Sequence, residues 1–161
     1  MQETTVTAIQ AIQAILAPAL GISAVGLLLL GISNRYSAMV SRIRLLNDEK
    51  RRFSQKIVDL GNLSFTENSR FMSIAKQTEE LLLRSRYARN AILSMQAAIG
   101  LFVMTSASIA LNFFSSAEVF KIMPLMIFTV GMLAVFVGMI YAAIEVHRSY
   151  KIVLIEVKGE E

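Results

Sequence analysis

The chain has 161 residues, of which 55% are hydrophobic and 17% are charged, so it is more apolar than a soluble domain of this size. It contains no cysteine, which excludes a disulfide framework, a thiol nucleophile and a thiolate metal site. The single histidine, His147, argues against structural zinc, which takes four nitrogen or sulfur ligands. The formal net charge is only +4, but the basic residues are concentrated in one segment, which predicts a membrane protein.

The first apolar segment lacks charge from Thr4 to Asn34 and is longer than the roughly 20 residues that span a bilayer. Two arrangements fit this length. Either residues 4–16 form an interfacial amphipathic segment that bends at Pro18, or one long tilted helix runs through Pro18. No Lys or Arg precedes Arg35, so the segment lacks the basic start of a signal peptide. We therefore expect a retained membrane anchor.

The segment from Arg35 to Arg89 holds 12 of the 16 Lys and Arg residues and is predicted to form two amphipathic helices. Gly61 and Asn62 separate them, and the run from Ser64 to Glu67 has the pattern of a capping box. Apolar residues at alternating steps of three and four predict an antiparallel coiled-coil hairpin. The alternative is two solvated helices that lie against the membrane or each other without a strict coiled coil. The predicted hairpin seam comprises Met39, Ile43, Leu46, Phe53, Ile57, Leu60, Phe71, Ile74 and Leu81.

Two further apolar segments follow the hairpin. Residues 90–117 carry no charge, and residues 122–144 form another uncharged segment, long enough for a third span. Between them, residues 115–118 (SSAE) resemble a second capping box. Pro124 is expected in the first turn of the third helix, where proline is tolerated. The charged tail from Glu145 onward is expected to be partly helical at best.

The distribution of Lys and Arg predicts the orientation in the membrane. Three spans place residues 35–89 and the tail on one side, which then holds 15 of the 16 basic residues, and the other side holds Lys121 alone. Basic residues concentrate on the cytoplasmic side. We predict an all-α integral membrane protein of the cell inner (plasma) membrane, with its N-terminus outside and its C-terminus cytoplasmic. Its parts are residues 1–34, the long cytoplasmic antiparallel helical hairpin 35–89, two transmembrane helices in 90–145, and the tail 146–161.

Two runs at the predicted membrane edge carry a family resemblance. Residues 34–47 (NRYSAMVSRIRLLN) and residues 81–86 (LLLRSR) resemble those of small bacterial membrane proteins classed as domain of unknown function 2721. The likeness extends over most of the chain and includes the three-span layout. The resemblance implies this architecture and implies no activity.

Motifs for catalysis and for cofactor binding are absent from the sequence. Gly21, Gly26 and Gly31 do not form a phosphate-binding loop but lie inside a span, where small residues serve helix packing. An ion-coupled carrier usually keeps a charged residue within a span. The predicted spans contain no charged residue, which argues against a carrier. The basic residues alternate with acidic ones without a base-stacking motif, which argues against nucleic-acid binding. We therefore predict a non-enzymatic protein with no cofactor and no metal.

Two functions fit these observations. The first is a homo-oligomeric scaffold or accessory protein whose hairpin binds other copies or a cytoplasmic protein. The second is an oligomeric ion-channel-like protein with its pore lined by one face of the first span, although helix packing alone also explains that face. The candidate pore-lining residues are Gln13, Ala17, Ala24, Leu28 and Gly31. Six arginines are candidates for contacts with anionic lipids, although topology alone accounts for them: Arg35, Arg42, Arg44, Arg84, Arg86 and Arg89.

Overall fold

A computed structural model describes residues 8–60, 64–114 and 119–158, and the surroundings of side chains within 12–58, 64–111 and 122–148. These residues form three helices and no strand: α1 (Ala8–Leu60), α2 (Phe65–Phe114) and α3 (Val119–Lys158). The prediction of an all-α fold is confirmed. Each helix contains a segment long and apolar enough to cross a membrane, as expected of a multi-pass membrane protein.

α1 is one continuous helix that passes through Pro18. Of the two arrangements considered for the N-terminal segment, the long helix is therefore the one observed from Ala8 onward. Pro18 is buried. The helix continues through it, although the missing N–H of proline removes one backbone hydrogen bond. Residues 32–60 contain neither glycine nor proline, so nothing ends the helix where the apolar sequence gives way to the charged one.

The start of α2 follows the capping pattern in the sequence. The backbone N–H of Ser64 donates to Oε2 of Glu67 at 3.1 Å, and the N–H of Asn68 donates to the carbonyl of Ser64 at 2.9 Å. These bonds close the first turn of a helix that begins at Phe65. The predicted break at residues 61–62 and the second capping pattern at residues 115–118 lie outside the described residues.

α3 differs from the prediction at both ends. It begins at Val119, so Pro124 lies inside the helix rather than in its first turn. It continues to Lys158, so the expectation that the tail is partly helical at best is wrong. The tail contains no glycine or proline before Gly159, and its lysines, glutamates and aliphatic residues permit the helix to continue.

The chain divides into two compact units. The first, here called the apolar unit, comprises Met1–Ile32 and Asn90–Tyr141. The second, here called the charged unit, comprises Ser33–Arg89 and Ala142–Glu161. Each unit therefore takes residues from all three helices.

The core of the apolar unit is built around Phe102 of α2, which is buried together with Val25 and Met95. Gly21 of α1 and Gly131 of α3 lie against the Phe102 ring, where an added Cβ would approach ring carbons to 3.1 and 2.8 Å respectively. The absence of side chains at these two glycines lets the helix backbones close around the ring, as small residues do in membrane helix packing.

Hydroxyl side chains in the apolar unit bond to their own helices. Thr105, Ser106 and Thr129 each donate to the backbone carbonyl four residues earlier, at 2.8–3.1 Å. Ser23 does the same at 3.3 Å. These bonds satisfy the hydroxyls without a partner from another helix.

Candidate functional site

The charged unit carries most residues of the predicted hairpin seam. Met39, Leu46 and Ile74 are buried, and Ile43, Phe53, Phe71 and Leu81 are half-buried. Ile57 is exposed, and the side chain of Leu60 lies outside the described residues. The apolar positions with steps of three and four are thus mainly the interior positions of α1 and α2 in this unit. Lys50 occupies the polar place in the seam.

Two ion pairs join α1 and α2 near their connection. Nζ of Lys56 lies 2.9 Å from Oε1 of Glu67. The Arg70 guanidinium donates from Nε and Nη2 to the two carboxylate oxygens of Glu49, at 3.0 and 3.3 Å. The ammonium of Lys50 also lies 5.9 Å from the centre of the Phe71 ring, within the range of a cation–π contact. These contacts bring the end of α1 against the beginning of α2.

The same ion pairs shift the ionisation of their members. The hydrogen bond from Lys56, followed by that from the Ser64 N–H, lowers the pKa of Glu67 below its ordinary value. The hydrogen bond and charge of Glu49 raise the pKa of Arg70. Because these side chains are exposed to solvent, water and salt screen the pairs, and their contribution to stability is small.

A third ion pair links α2 to α3 and is better shielded. Nη2 of Arg84 lies 3.2 Å from Oε1 of Glu145, and the two side chains are 24% and 7% exposed. One helical turn further along each helix, the Arg148 guanidinium lies 4.9 Å from the centre of the Tyr87 ring. Arg84 thus pairs with a carboxylate on another helix, although Glu80 lies one turn before it in α2.

The six arginines proposed for lipid contacts do not form one group in the structure. Arg35, Arg42, Arg44, Arg86 and Arg89 are exposed, which leaves their guanidinium groups accessible. Arg84 is half-buried and bound to Glu145. Its inclusion among the lipid-contact candidates stays a prediction, and the geometry gives it a different role, in joining α2 to α3.

The candidate pore-lining residues are all exposed in the single chain. They occupy α1 within the apolar unit, and an added Cβ on Gly31 would meet no atom within 4 Å. The face they form is therefore open to another chain or to lipid. Its members are Gln13, Ala17, Ala24, Leu28 and Gly31.

Three large apolar side chains near the α1–α2 connection are strongly exposed. Val58, Phe65 and Met72, here called the tip patch, are 84%, 88% and 67% exposed. Phe65 and Met72 lie two turns apart on one face of α2, and Val58 follows Lys56, which pairs with Glu67. The sequence pattern did not single out Phe65 and Met72, whereas it marks Val58 as apolar surface beyond the seam. The signal that does identify them is that they are large apolar residues outside the positions with steps of three and four.

Metal-binding geometry is not found in the described part of the chain. Histidine, aspartate and glutamate side chains do not gather there in groups of three or more that could hold a metal ion.

Comparison with models of protein families matches most of the chain. The family model described as "Protein of unknown function (DUF2721)" matches residues 15–155, which is most of the chain. No curated protein and no solved structure matches the chain with statistical significance.

Proposed function

Because the chain belongs to the DUF2721 family, whose description names no activity, we propose a function from its own residues. The protein is a homo-oligomeric integral membrane scaffold. It presents a cytoplasmic helical hairpin to a protein with an acidic surface and an apolar groove. It catalyses no reaction and holds no cofactor.

The orientation in this proposal rests on the basic residues. Fifteen of the 16 Lys and Arg residues fall between Arg35 and Arg89 or after residue 145, and the remaining one, Lys121, lies near the start of α3. Basic residues are in excess in the cytoplasmic segments of membrane proteins, which supports a cytoplasmic position of the charged unit.

Contacts between α1 and α2 support the antiparallel hairpin. Lys56 pairs with Glu67, and the earlier residue Glu49 pairs with the later residue Arg70. As the residue number falls along α1, the partner's number rises along α2, which is the order that an antiparallel pair produces. Leu46 and Ile74 are both buried, and the same numerical order pairs them across the two arms.

The exposed tip patch is the observation that carries the proposal. Val58, Phe65 and Met72 lie outside the predicted spans, where their exposure to water is unfavourable. Phe65 and Met72 share one face of α2, and exposed apolar patches in soluble segments are characteristic of interaction surfaces. Val58 belongs to α1 and Phe65 and Met72 to α2, so the patch is presented on helical elements.

Charge favours an acidic partner over a second hairpin. Residues 35–89 contain 12 basic and six acidic residues, a net charge of +6. Arg51, Arg52 and Lys76 are exposed, and none of them forms an ion pair within the described residues. Two hairpins with this charge repel one another, whereas an acidic surface is attracted and held in register.

Site-specific photo-cross-linking in intact cells tests this proposal. A photoreactive phenylalanine replaces Phe65 in the full-length chain, and the matched control carries it at Gln55, which is exposed but polar. We expect one discrete cross-linked product at position 65, absent at position 55 and reduced at least several-fold by Arg51→Glu with Arg52→Glu. Mass spectrometry of the product should identify an acidic protein.

Two outcomes overturn the choice of partner. A product at a multiple of the chain's own mass would show that the tip patch binds another copy. Equal products at positions 55 and 65, or none at either, would show that the patch is not a specific docking surface.

A second candidate function is an ion-conducting oligomer, which the exposure of the candidate pore face favours. In a ring of copies, Leu28 would form an apolar constriction on that face. Leu28→Ser should then raise ion flux through proteoliposomes, and Leu27→Ser, which also places a hydroxyl on an exposed position of α1, should not. Equal flux for both variants and the parent chain would exclude this function. The scaffold proposal predicts that result.

A further inference from the structure

Gln96 is an exposed amide in the apolar part of α2. It lies six residues after Asn90, about 9 Å along the helix into the uncharged segment. This distance along the helix is longer than a glutamine side chain. Within the described residues the Gln96 amide hydrogen-bonds to no protein group, unlike the hydroxyls of Thr105 and Ser106.

An unpartnered amide is costly in this environment. Hydrocarbon offers neither hydrogen-bond donors nor acceptors. The free-energy cost of moving an amide from water into hydrocarbon is therefore several-fold larger than the cost of moving it into a solvent that can hydrogen-bond. In membrane helices such side chains pair across helix interfaces. The position of Gln96 therefore points to a polar partner at the same depth.

Gly100 lies one turn further along the same face. An added Cβ there would meet no atom within 4 Å, whereas an added Cβ on Gly131 or Gly138 would meet α2. The packing of the single chain thus gives a reason for Gly131 and Gly138 and none for Gly100. A glycine on an outer face lets a second helix approach the backbone closely.

The residues around Gln96 and Gly100 form a complete exposed face. It lies opposite the buried positions Ala91, Met95, Ala98 and Phe102, as expected for helix positions half a turn apart. Small residues occupy its middle and larger aliphatic residues its edges. This Gln96 face comprises Leu93, Gln96, Gly100, Val103, Ala107 and Leu111.

We propose that the Gln96 face is a two-fold interface with a second copy of this chain. A primary amide has both a donor and an acceptor, so two Gln96 side chains related by a two-fold axis satisfy one another reciprocally. Copies inserted in the same orientation bring the two amides to the same depth. Gly100 and Ala107 allow the two α2 helices to approach, and the aliphatic residues pack at the edges.

This inference specifies the self-association in the proposed function, and it rests on the membrane placement of α2. It is independent of the hairpin's partner, which is read out at position 65. It also differs from the ring in the channel hypothesis, where copies meet through α1. Single-cysteine cross-linking separates these cases, because the natural chain contains no cysteine.

The experiment uses the full-length chain in native membrane vesicles. Gly100→Cys and Ala107→Cys should give disulfide-linked dimers on oxidation, because a two-fold contact brings each position close to its own copy. Leu133→Cys, exposed on α3, and Gly31→Cys, exposed on α1, are matched controls and should remain monomeric. Dimers at Gly31 or Leu133 in place of Gly100 would overturn the interface.

Two further variants test the amide and the close approach. Gln96→Leu removes both reciprocal hydrogen bonds and should weaken dimerisation in nanodiscs by about 3- to 30-fold for each of them, the range for an interhelical hydrogen bond in a membrane. Gly100→Leu should abolish the dimer, and Gly26→Leu should not, since an added Cβ on Gly26 also meets no atom within 4 Å. Circular dichroism confirms that each variant remains helical. Unchanged dimerisation of both Gln96→Leu and Gly100→Leu would overturn the proposal.

Discussion

Different interactions stabilise the interior of the apolar unit and the interior of the charged unit. In the apolar unit, helices approach closely where Gly21 and Gly131 meet the Phe102 ring. In the charged unit, aliphatic side chains such as Leu46 and Ile74 are buried, and ion pairs join the helices at the surface. Lipid is as apolar as the side chains, so helix association there depends on close packing and on interhelical hydrogen bonds. In water, burial of the aliphatic side chains is itself favourable.

Phe102→Ala should have the largest effect and tests the apolar half of this comparison. The Phe102 ring is part of the buried core cluster, and its removal leaves a cavity. The cavity should lower the free energy of unfolding by about 3–5 kcal/mol. Phe136→Ala, in which an exposed ring is removed, is the matched control and should change stability little. Unfolding in mixed micelles, followed by far-ultraviolet circular dichroism, measures both. Equal stabilities of the two variants would show that the Phe102 core does not hold the unit together.

Ile74→Ala tests the charged half. Ile74 is fully buried in α2, so its truncation should cost about 2–5 kcal/mol. Met72→Ala removes a side chain of similar size that belongs to the exposed tip patch, and its effect should be small. Protease sensitivity of the charged unit in vesicles reports local opening and should rise only for Ile74→Ala. A similar rise for Met72→Ala would mean that the tip patch is part of the fold rather than a surface.

Arg84→Met should destabilise the charged unit by about 2 kcal/mol. The loss of one partner of a fully buried pair costs roughly 3–5 kcal/mol, and Arg84 retains some contact with solvent. The double variant Arg84→Met with Glu145→Met should recover more than half of the loss, since it also removes the buried carboxylate. Unfolding in mixed micelles measures the stabilities of Arg84→Met, Glu145→Met and the double variant, which together form a double-mutant cycle. Additive losses in the double variant would show that the two residues are not coupled.

The ion pair of Glu67 should produce the smallest effect, visible as a pH dependence. Its folded pKa is below the ordinary value of 4.5, so its stabilising contribution is present above that pH and is lost as the pH falls through the folded pKa. Glu67→Gln should therefore flatten the decline in stability of the charged unit at acidic pH. Glu79→Gln, at an exposed glutamate, is the control. One molar salt should reduce the difference between the variants, and a difference that persists in salt would contradict a screened surface pair.

The three helical segments, the unbroken course of α1 and the start of α2 follow from local sequence. The absence of glycine and proline between residues 32 and 60 allows α1 to continue, and the Ser64–Glu67 pattern starts α2. The position of Pro124 and the length of α3 were predicted wrongly, because capping patterns and charge content do not fix helix ends when a helix tolerates a proline. Whether the six arginines contact lipid, and whether the α1 face lines a pore, stay predictions.

The sequence by itself determined three apolar helical segments, the charged segment between the first two, and the seam positions, because periodicity and charge are local properties of the chain. Only the tertiary structure decided which side chains meet. It paired Arg84 with Glu145 across 61 positions, placed Gly131 against the Phe102 ring, and left Gln96 and Phe65 exposed. Contacts between residues so distant in sequence depend on how the helices pack, and no local pattern encodes that arrangement.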